Sequence, residues 1–295
     1  MNASFGIDHP LIAVNDIVRL RTRLIAMGFN MTDIGKHPWG TSTSLAMFDG
    51  CLLEIMGIYD QSLIDEFPTG DFRFGRHVYE HLMQREGIAL TALHSKNSEA
   101  DADQAEHAGF SIAGHLEFGR DVRLPDGRKD RTRTTLALLP DADFPRLSFF
   151  LCQQHRPELI YVPEWLEHPN TVHGICGITL MVEPYRQETL RKKLSMLYGE
   201  AMPVCGGFHL NTANGVLKVL SRQSIEADFG SVPASVLADA APCIVGMEFR
   251  YANWNSLNES LTRSGMKFNE RNGIFTLENP EHTGNTFLRF HHHPH

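Results

Sequence analysis

Cysteine is scarce and scattered in this chain. Five residues, Cys51, Cys152, Cys176, Cys205 and Cys243, are spread over 295 positions. Their number is odd and no CxxC pair occurs, which excludes a disulfide framework or a zinc knot as the organising device. They read as small buried hydrophobes. No apolar run approaches the roughly 20 residues that a membrane helix needs. The segment from Met1 to Asp8 has no basic stretch followed by an apolar one, so the expected location is the cytoplasm, with no membrane partner. Positive charge is also in deficit. Lys and Arg number 27 against 35 Asp and Glu, a net charge of −8, and no basic stripe stands out. Nucleic acid is therefore not an expected partner. No P-loop, GxGxxG or GxSxG element occurs, which disfavours nucleotide-cofactor and serine-hydrolase chemistry.

What is present is a repeat. Asp8 to Val14 is short, apolar and strand-like. A helical pattern follows, with Ile17, Leu20, Leu24 and Met27 on one face, Asp16 as N-cap and Gly28 as stop. Thr41 to Phe48 and Cys51 to Ile58 read as strands around an Asp49-Gly50 hairpin turn. This order of strand, helix and antiparallel meander returns from Ile88, from Gly174 and from Cys243. Each of the four helices ends on a glycine: Gly28, Gly109, Gly199 and Gly265. Glycine there can take the left-handed conformation that closes a helix.

One such module cannot bury its sheet alone, whereas two can pair into a half-barrel. The expected fold is α+β, with four βαβββ modules forming two half-barrel domains, residues 1–156 and 172–295. The proline-containing stretch 157–171 is the expected linker. Residues 60–87 do not fit the repeat and read as an inserted loop and helix. His291, His292, His293 and His295 form a terminal cluster that could be a tag and is left out of the functional reading.

The run DHPLIAVNDI, the following GF, and GKHPWGTSTSLAMFDGCLLEIMGIY resemble the glyoxalase-like branch of the vicinal-oxygen-chelate superfamily. The Arg-rich hairpin around LPDG, Trp165 and His168-Pro169-Asn170 extend the resemblance. It implies glyoxalase/dioxygenase-like half-barrels around a cavity, often holding a divalent metal that chelates neighbouring oxygens of a small-molecule substrate. It implies lyase or isomerase chemistry, with ring-cleaving dioxygenation or metal-free small-molecule binding as alternatives. It also leaves room for a homodimer.

His9 and Glu54 stand where the superfamily places ligands, in the first and last strands of module one. An imidazole and a carboxylate suit Fe, Mn, Ni, Co or Zn. In the other modules the position of His9 falls to Leu90, Gly177 and Gly246, and that of Glu54 to Val219 and Leu288 in modules three and four. The chemistry is therefore expected in the N-terminal half. A third ligand is missing in register. His94 is the first candidate, being on the strand face of Leu90, ahead of His37, Gln153 and His155. Glu54 and His37 are the expected catalytic residues. Thr41 offers a hydroxyl at the cavity edge. Arg131 and Arg133 share one face by strand parity and are candidates for binding an acidic substrate group. His77 and His81 are expected on a solvated helix face.

Overall fold

The computed structural model describes residues 5–239 and 241–294. The opening four residues and His295 of the terminal cluster lie outside the described residues. The first half runs β1 (Ile7–Ala13), α1 (Ile17–Ala26), β2 (Gly35–Lys36), β3 (Thr41–Phe48), β4 (Cys51–Ile58), α2 (Phe74–Gln84), β5 (Gly87–Ser95), α3 (Ser98–His107), β6 (Gly114–Phe118), β7 (Asp121–Arg123), β8 (Lys129–Arg131), β9 (Thr134–Leu139) and β10 (Phe149–Gln154). After the short α4 (Pro163–Leu166) come β11 (Val172–Met181), α5 (Pro184–Tyr198), β12 (Met202–Val204), β13 (Gly207–Asn211) and β14 (Val216–Leu220). The chain closes with α6 (Arg222–Asp228), α7 (Ala234–Asp239), β15 (Cys243–Tyr251), α8 (Trp254–Ser264), β16 (Phe268–Arg271), β17 (Ile274–Leu277) and β18 (Phe287–His292).

The strands form two eight-stranded sheets of the same order. The first is β2-β3-β4-β1-β5-β10-β9-β6 and the second β12-β13-β14-β11-β15-β18-β17-β16; β7 and β8 pair only with each other. In each sheet two modules meet at one antiparallel strand pair, β1 with β5 and β11 with β15. The four helix-ending glycines all have positive φ, between +70° and +87°. Asp16, Asn97 and Asn253 cap their helices through side-chain oxygens, as short polar residues at that position do.

A bulge recurs in each module. Asp8, Ala89, Cys176 and Val245 are each skipped in the central pairing, immediately before the positions of His9, Leu90, Gly177 and Gly246. The pairings Pro10↔Thr91 and Ile178↔Met247 then mark the pseudo-twofold axes, and they make His9 and Leu90 counterparts. The counts that gave Val219 and Leu288 are off by one residue. Leu11 pairs with Glu54, whereas its counterparts Thr179 and Glu248 pair with Lys218 and Arg289. Glu54 is the fourth residue after Gly50, whereas Lys218 is the third after Gly215 and Arg289 the fifth after Gly284.

Strand alternation sends Ile12, Leu53, Ile55 and Leu151 toward the helices, and Leu11, Met56, Phe150 and Cys152 to the opposite, concave face. The helical faces of the two halves share one core. Phe29 lies 5.9 Å from Phe249 and 6.4 Å from Phe48 and Phe290, ring to ring. The stretch 157–171 is packed into this junction. His168 accepts the Asn30 amide on Nδ1 at 2.9 Å and its Nε2 meets the Met47 carbonyl at 2.8 Å.

The segment 60–87 is not unique to module one. Between β14 and β15, α6 and α7 take the same place in the second half. Phe229, Val232 and Val236 fill that concave face against Val245 and Phe287, and Arg289 pairs with Asp228 at 2.8 Å. His77 and His81 are not on a solvated face either. His77 Nε2 meets the Ala89 carbonyl at 3.0 Å, and His81 is buried beside Arg146. Arg146 and Arg85 both reach Asp239 of α7, so this polar cluster joins α2 to the second half.

Candidate functional site

The concave face of the first sheet encloses a cavity of about 560 Å³. Its walls are mostly apolar, with Leu11, Leu45, Met47, Phe74, Phe118 and Trp165 among them, and His9, His37, Glu54 and Arg120 are among the polar residues that line it. Few convergent polar groups in an apolar cleft are the usual form of a small-molecule site.

His9 is 5% exposed and Glu54 6%. They project from neighbouring strands, because β1 and β4 are parallel with Leu11 opposite Glu54. His9 Nε2 stands 3.1 Å from Glu54 Oε2, and Thr43 donates its hydroxyl to Glu54 Oε1 at 2.5 Å. Asp8 holds the other side of the ring, with Oδ1 2.7 Å from His9 Nδ1. Consecutive strand residues normally face opposite ways. The bulge at Asp8 breaks that rule and brings both side chains together. Asp8 Oδ2 has no hydrogen-bond partner although it is buried.

Burial works against charge on His9, but Asp8 and Glu54 outweigh it and push its pKa up to about 10. Burial likewise works against a Glu54 carboxylate, and the bonds from His9 outweigh it, bringing its pKa down to about 2. His37 behaves in the opposite way. Burial and the nearby Arg120 charge bring it down to about 3, so it stays neutral. It sits in the turn between β2 and β3, with its ring stacked on Trp39 at 4.8 Å and Nδ1 2.9 Å from Thr41 Oγ1. Gly40, at φ +81°, closes this turn.

His9 and Glu54 fit one edge of a divalent ion. Two bonds of about 2.1 Å at a right angle set their donor atoms roughly 3 Å apart, which is the spacing seen here. A carboxylate behind a ligating imidazole is also the usual supporting arrangement. The opposite edge is apolar. Leu90 is the counterpart of His9, and Phe150, paired with Ala92, is the counterpart of Glu54. The Phe150 ring meets His9 edge-on at 5.6 Å. Among the described residues no group of three His, Cys, Asp or Glu side chains could hold a metal.

The remaining expected residues divide clearly. His37 lines the cavity with His9 and Glu54, and Thr41 supports His37 from behind without lining it. His94 lies 3.6 Å from Asp8 Oδ2 and is not part of the cavity wall. Gln153 bonds the Ser98 amide, and His155 bonds Thr135. Arg131 pairs with Asp121 at 2.7 Å and Arg133 with Glu117 at 2.8 Å, both in solvent. Strand parity does not run through them, because β8 ends at Arg131 and β9 begins at Thr134. Arg120 and Arg123 of the same hairpin region line the cavity instead. Asp8, Thr43 and Phe150 were not singled out by sequence reasoning. The adjacent Asp-His pair was visible, but its cooperation depends on the bulge.

The second half carries a different polar centre. Glu248 is bonded by Lys218 Nζ at 2.6 Å and lies 2.6 Å from His291 Nε2. His291 and His292 are therefore integral to β18. Burial disfavours a Glu248 carboxylate, but His291 and Lys218 outweigh it and bring its pKa down to about 2.

A search of curated proteins finds no sequence match to this chain. Solved structures match its fold. A hypothetical protein from Staphylococcus aureus superposes with a TM-score of 0.69 at 9% identity, covering 98% of this chain and 100% of that one. A substituted 4-hydroxymandelate synthase from Streptomyces coelicolor gives 0.55 at 12% identity, covering 97% and 91%. A xylose isomerase-like TIM barrel/4-hydroxyphenylpyruvate dioxygenase fusion protein gives 0.55 at 12%, covering 99% of this chain and 49% of that one. At such identities the likeness is one of fold. The sequence profile of the glyoxalase-like domain matches residues 7–197, which takes in the whole cavity-bearing sheet. The chain thus belongs to the glyoxalase-like domain family, with the vicinal-oxygen-chelate fold.

Proposed function

We propose that this chain is a glyoxalase-like enzyme that carries out a lyase or isomerase reaction on a small oxygenated substrate in the cavity of the first sheet. The observation that carries this reading is the buried His9–Glu54 pair facing a mainly apolar cavity. In this reading His9 Nε2 and Glu54 hold a divalent metal, and Asp8 orients the His9 ring. The metal, when bound, supplies Lewis-acid polarisation of a carbonyl or of two neighbouring oxygens. His37 is neutral and lines the same cavity, so in this reading it meets the substrate as a hydrogen-bonding group, its low pKa making it a weak base for a carbon proton. Thr41 keeps the His37 ring in place. The apolar walls keep water from the reacting atoms. The free cysteines agree with the reducing cytoplasm as the compartment.

A second reading is a metal-free binding protein. Leu90 and Phe150 favour it, since they leave half of the expected ligand positions apolar. Metal analysis separates the two readings. Wild-type protein, H9A and E54Q would be compared in a background with His292 and His293 replaced, so that terminal imidazoles do not contribute. One ion per wild-type chain, lost in both variants while the fold persists, supports the enzyme. Absence of metal from the wild type, with turnover and binding indifferent to both changes, selects the binding protein.

A further inference from the structure

Arg120 is a cation of the cavity wall without a counter-ion among the described residues. Its half-buried side chain lines the cavity, and no described residue bonds or pairs with its guanidinium. Its main chain is fixed, because Thr132 accepts the Arg120 amide at 2.9 Å and donates its own amide to the Arg120 carbonyl at 2.9 Å. Arg120 is thus held where the β7–β8 hairpin joins the sheet. The carboxylates along the cavity are already engaged. Glu54 is taken by His9 and Thr43, Asp33 lies 3.3 Å from Arg21, and Asp121 pairs with Arg131. Other arginines of this region also have partners: Arg133 has Glu117, and Arg156 has Asp130.

The Arg120 charge reaches the catalytic end of the cavity. It acts on His37 and Cys152, both of which line the wall beside His9 and Glu54. Gly35 lies beside the guanidinium. A partly buried guanidinium without a partner is costly unless something from outside completes it. One such fork matches one carboxylate, both in charge and in its two parallel hydrogen bonds. Arg123 also lines the cavity but is solvent-exposed, so water screens its charge and Arg120 is the partly buried cation that an anionic group would complete.

We propose that Arg120 is the carboxylate-recognition residue of this cavity, and that its substrate is a small monocarboxylate with an apolar body. This rests on reading the cavity as the substrate site, and it adds the charge and class of the molecule. Arg120 binds the carboxylate, the apolar body packs against Phe74, Phe118 and Trp165, and the oxygen next to the carboxylate faces His9 and Glu54.

The test is calorimetric titration of the full chain with 3-phenylpropionate and its neutral isostere 3-phenylpropanamide, in wild type, R120Q, R120K and E54Q. A charge-assisted pair predicts that wild type prefers the acid by roughly 10- to 100-fold. R120Q should lose that preference with amide affinity unchanged, and R120K should keep part of it. E54Q should retain the preference, so a failure of the catalytic reading would show in turnover and metal content and not here. Equal affinity for acid and amide in wild type, an acid preference that survives in R120Q, or no binding of either probe at millimolar concentration would overturn the proposal.

Discussion

Leu90 is the symmetry counterpart of His9. The pair Pro10↔Thr91 lies on the pseudo-twofold axis of the first sheet, His9 is opposite Ala92 and Leu90 is opposite Leu11. The same axis sets Phe150 against Glu54. One module therefore contributes an imidazole and a carboxylate to the cavity, while at the matching positions its partner has Phe150, which lines the cavity, and Leu90, which is packed in the core beneath it. Chemistry at one edge and packing at the other is the central asymmetry of this protein.

Restoring the missing donor should strengthen metal binding. Leu90→His is expected to tighten Co(II) or Zn(II) by about tenfold or more, since a further ligand adds at least about 1.4 kcal/mol. Competition against a chromophoric chelator measures this. The polar ring in a packed site should cost on the order of 1–3 kcal/mol of apo stability. Unchanged affinity in a folded variant would count against His9 and Glu54 as half of a metal centre.

Asp8 acts through His9. Asp8→Asn keeps the shape of the side chain and removes the charge that orients and supports the ring. Loss of such a supporting carboxylate typically weakens metal affinity about 10- to 100-fold. The same loss is expected here, with the tertiary fold preserved by circular dichroism. An Asn variant that binds metal as the wild type does would show that the contact is structural only.

Gly40 positions His37. Its φ of +81° suits glycine, and a Cβ there would overlap the Asp60 carbonyl. Gly40→Ala should therefore cost more than about 1 kcal/mol and move the His37–Trp39 stack. Lower thermal stability together with reduced turnover is the expected pair of outcomes. An unchanged melting temperature would mean that the turn relaxes without strain.

Acid should destabilise the fold in two ranges. His81 is held well below 6.5 by burial, with Arg146 and Arg85 adding to it. Its neutral form is favoured when folded, so its contribution is complete above about pH 6.5 and is lost as pH falls below that. Glu248 goes from 4.5 to about 2 on folding, so its contribution is complete above about pH 4.5 and is lost toward pH 2. At most this second term is about 3 kcal/mol. Urea melts at pH 5 and pH 3 should show a smaller stability drop in Glu248→Gln than in wild type. Equal drops would mean that Lys218 and His291 do not depend on the Glu248 charge.

The local pattern of the chain determined much of the architecture. Helix caps, the glycine stops at Gly28, Gly109, Gly199 and Gly265, and the Asp49-Gly50 turn are short-range signals, and they appear in the fold as four repeated modules. His9 and Glu54 were picked out as polar residues in apolar strands at the positions where the resemblance places ligands, and strand alternation along regular stretches holds in the fold. That rule loses force wherever the backbone is irregular. A bulge lets Asp8 join His9, the pairing of β14 with β11 puts Lys218 in the register expected for Val219, and a break between β8 and β9 turns Arg131 and Arg133 to solvent.

His9 and Glu54 as a polar pair in apolar strands were thus legible in the sequence by itself. What surrounds them was decided only by the tertiary structure. Apposition of β1 with β5 and of β5 with β10 sets Leu90 and Phe150 at the positions matching His9 and Glu54, closure of the β2–β3 turn brings in His37, and anchoring of the hairpin at Thr132 brings in Arg120. These contacts join residues far apart in the chain through sheet pairing and burial, and no local period encodes which strand edges meet.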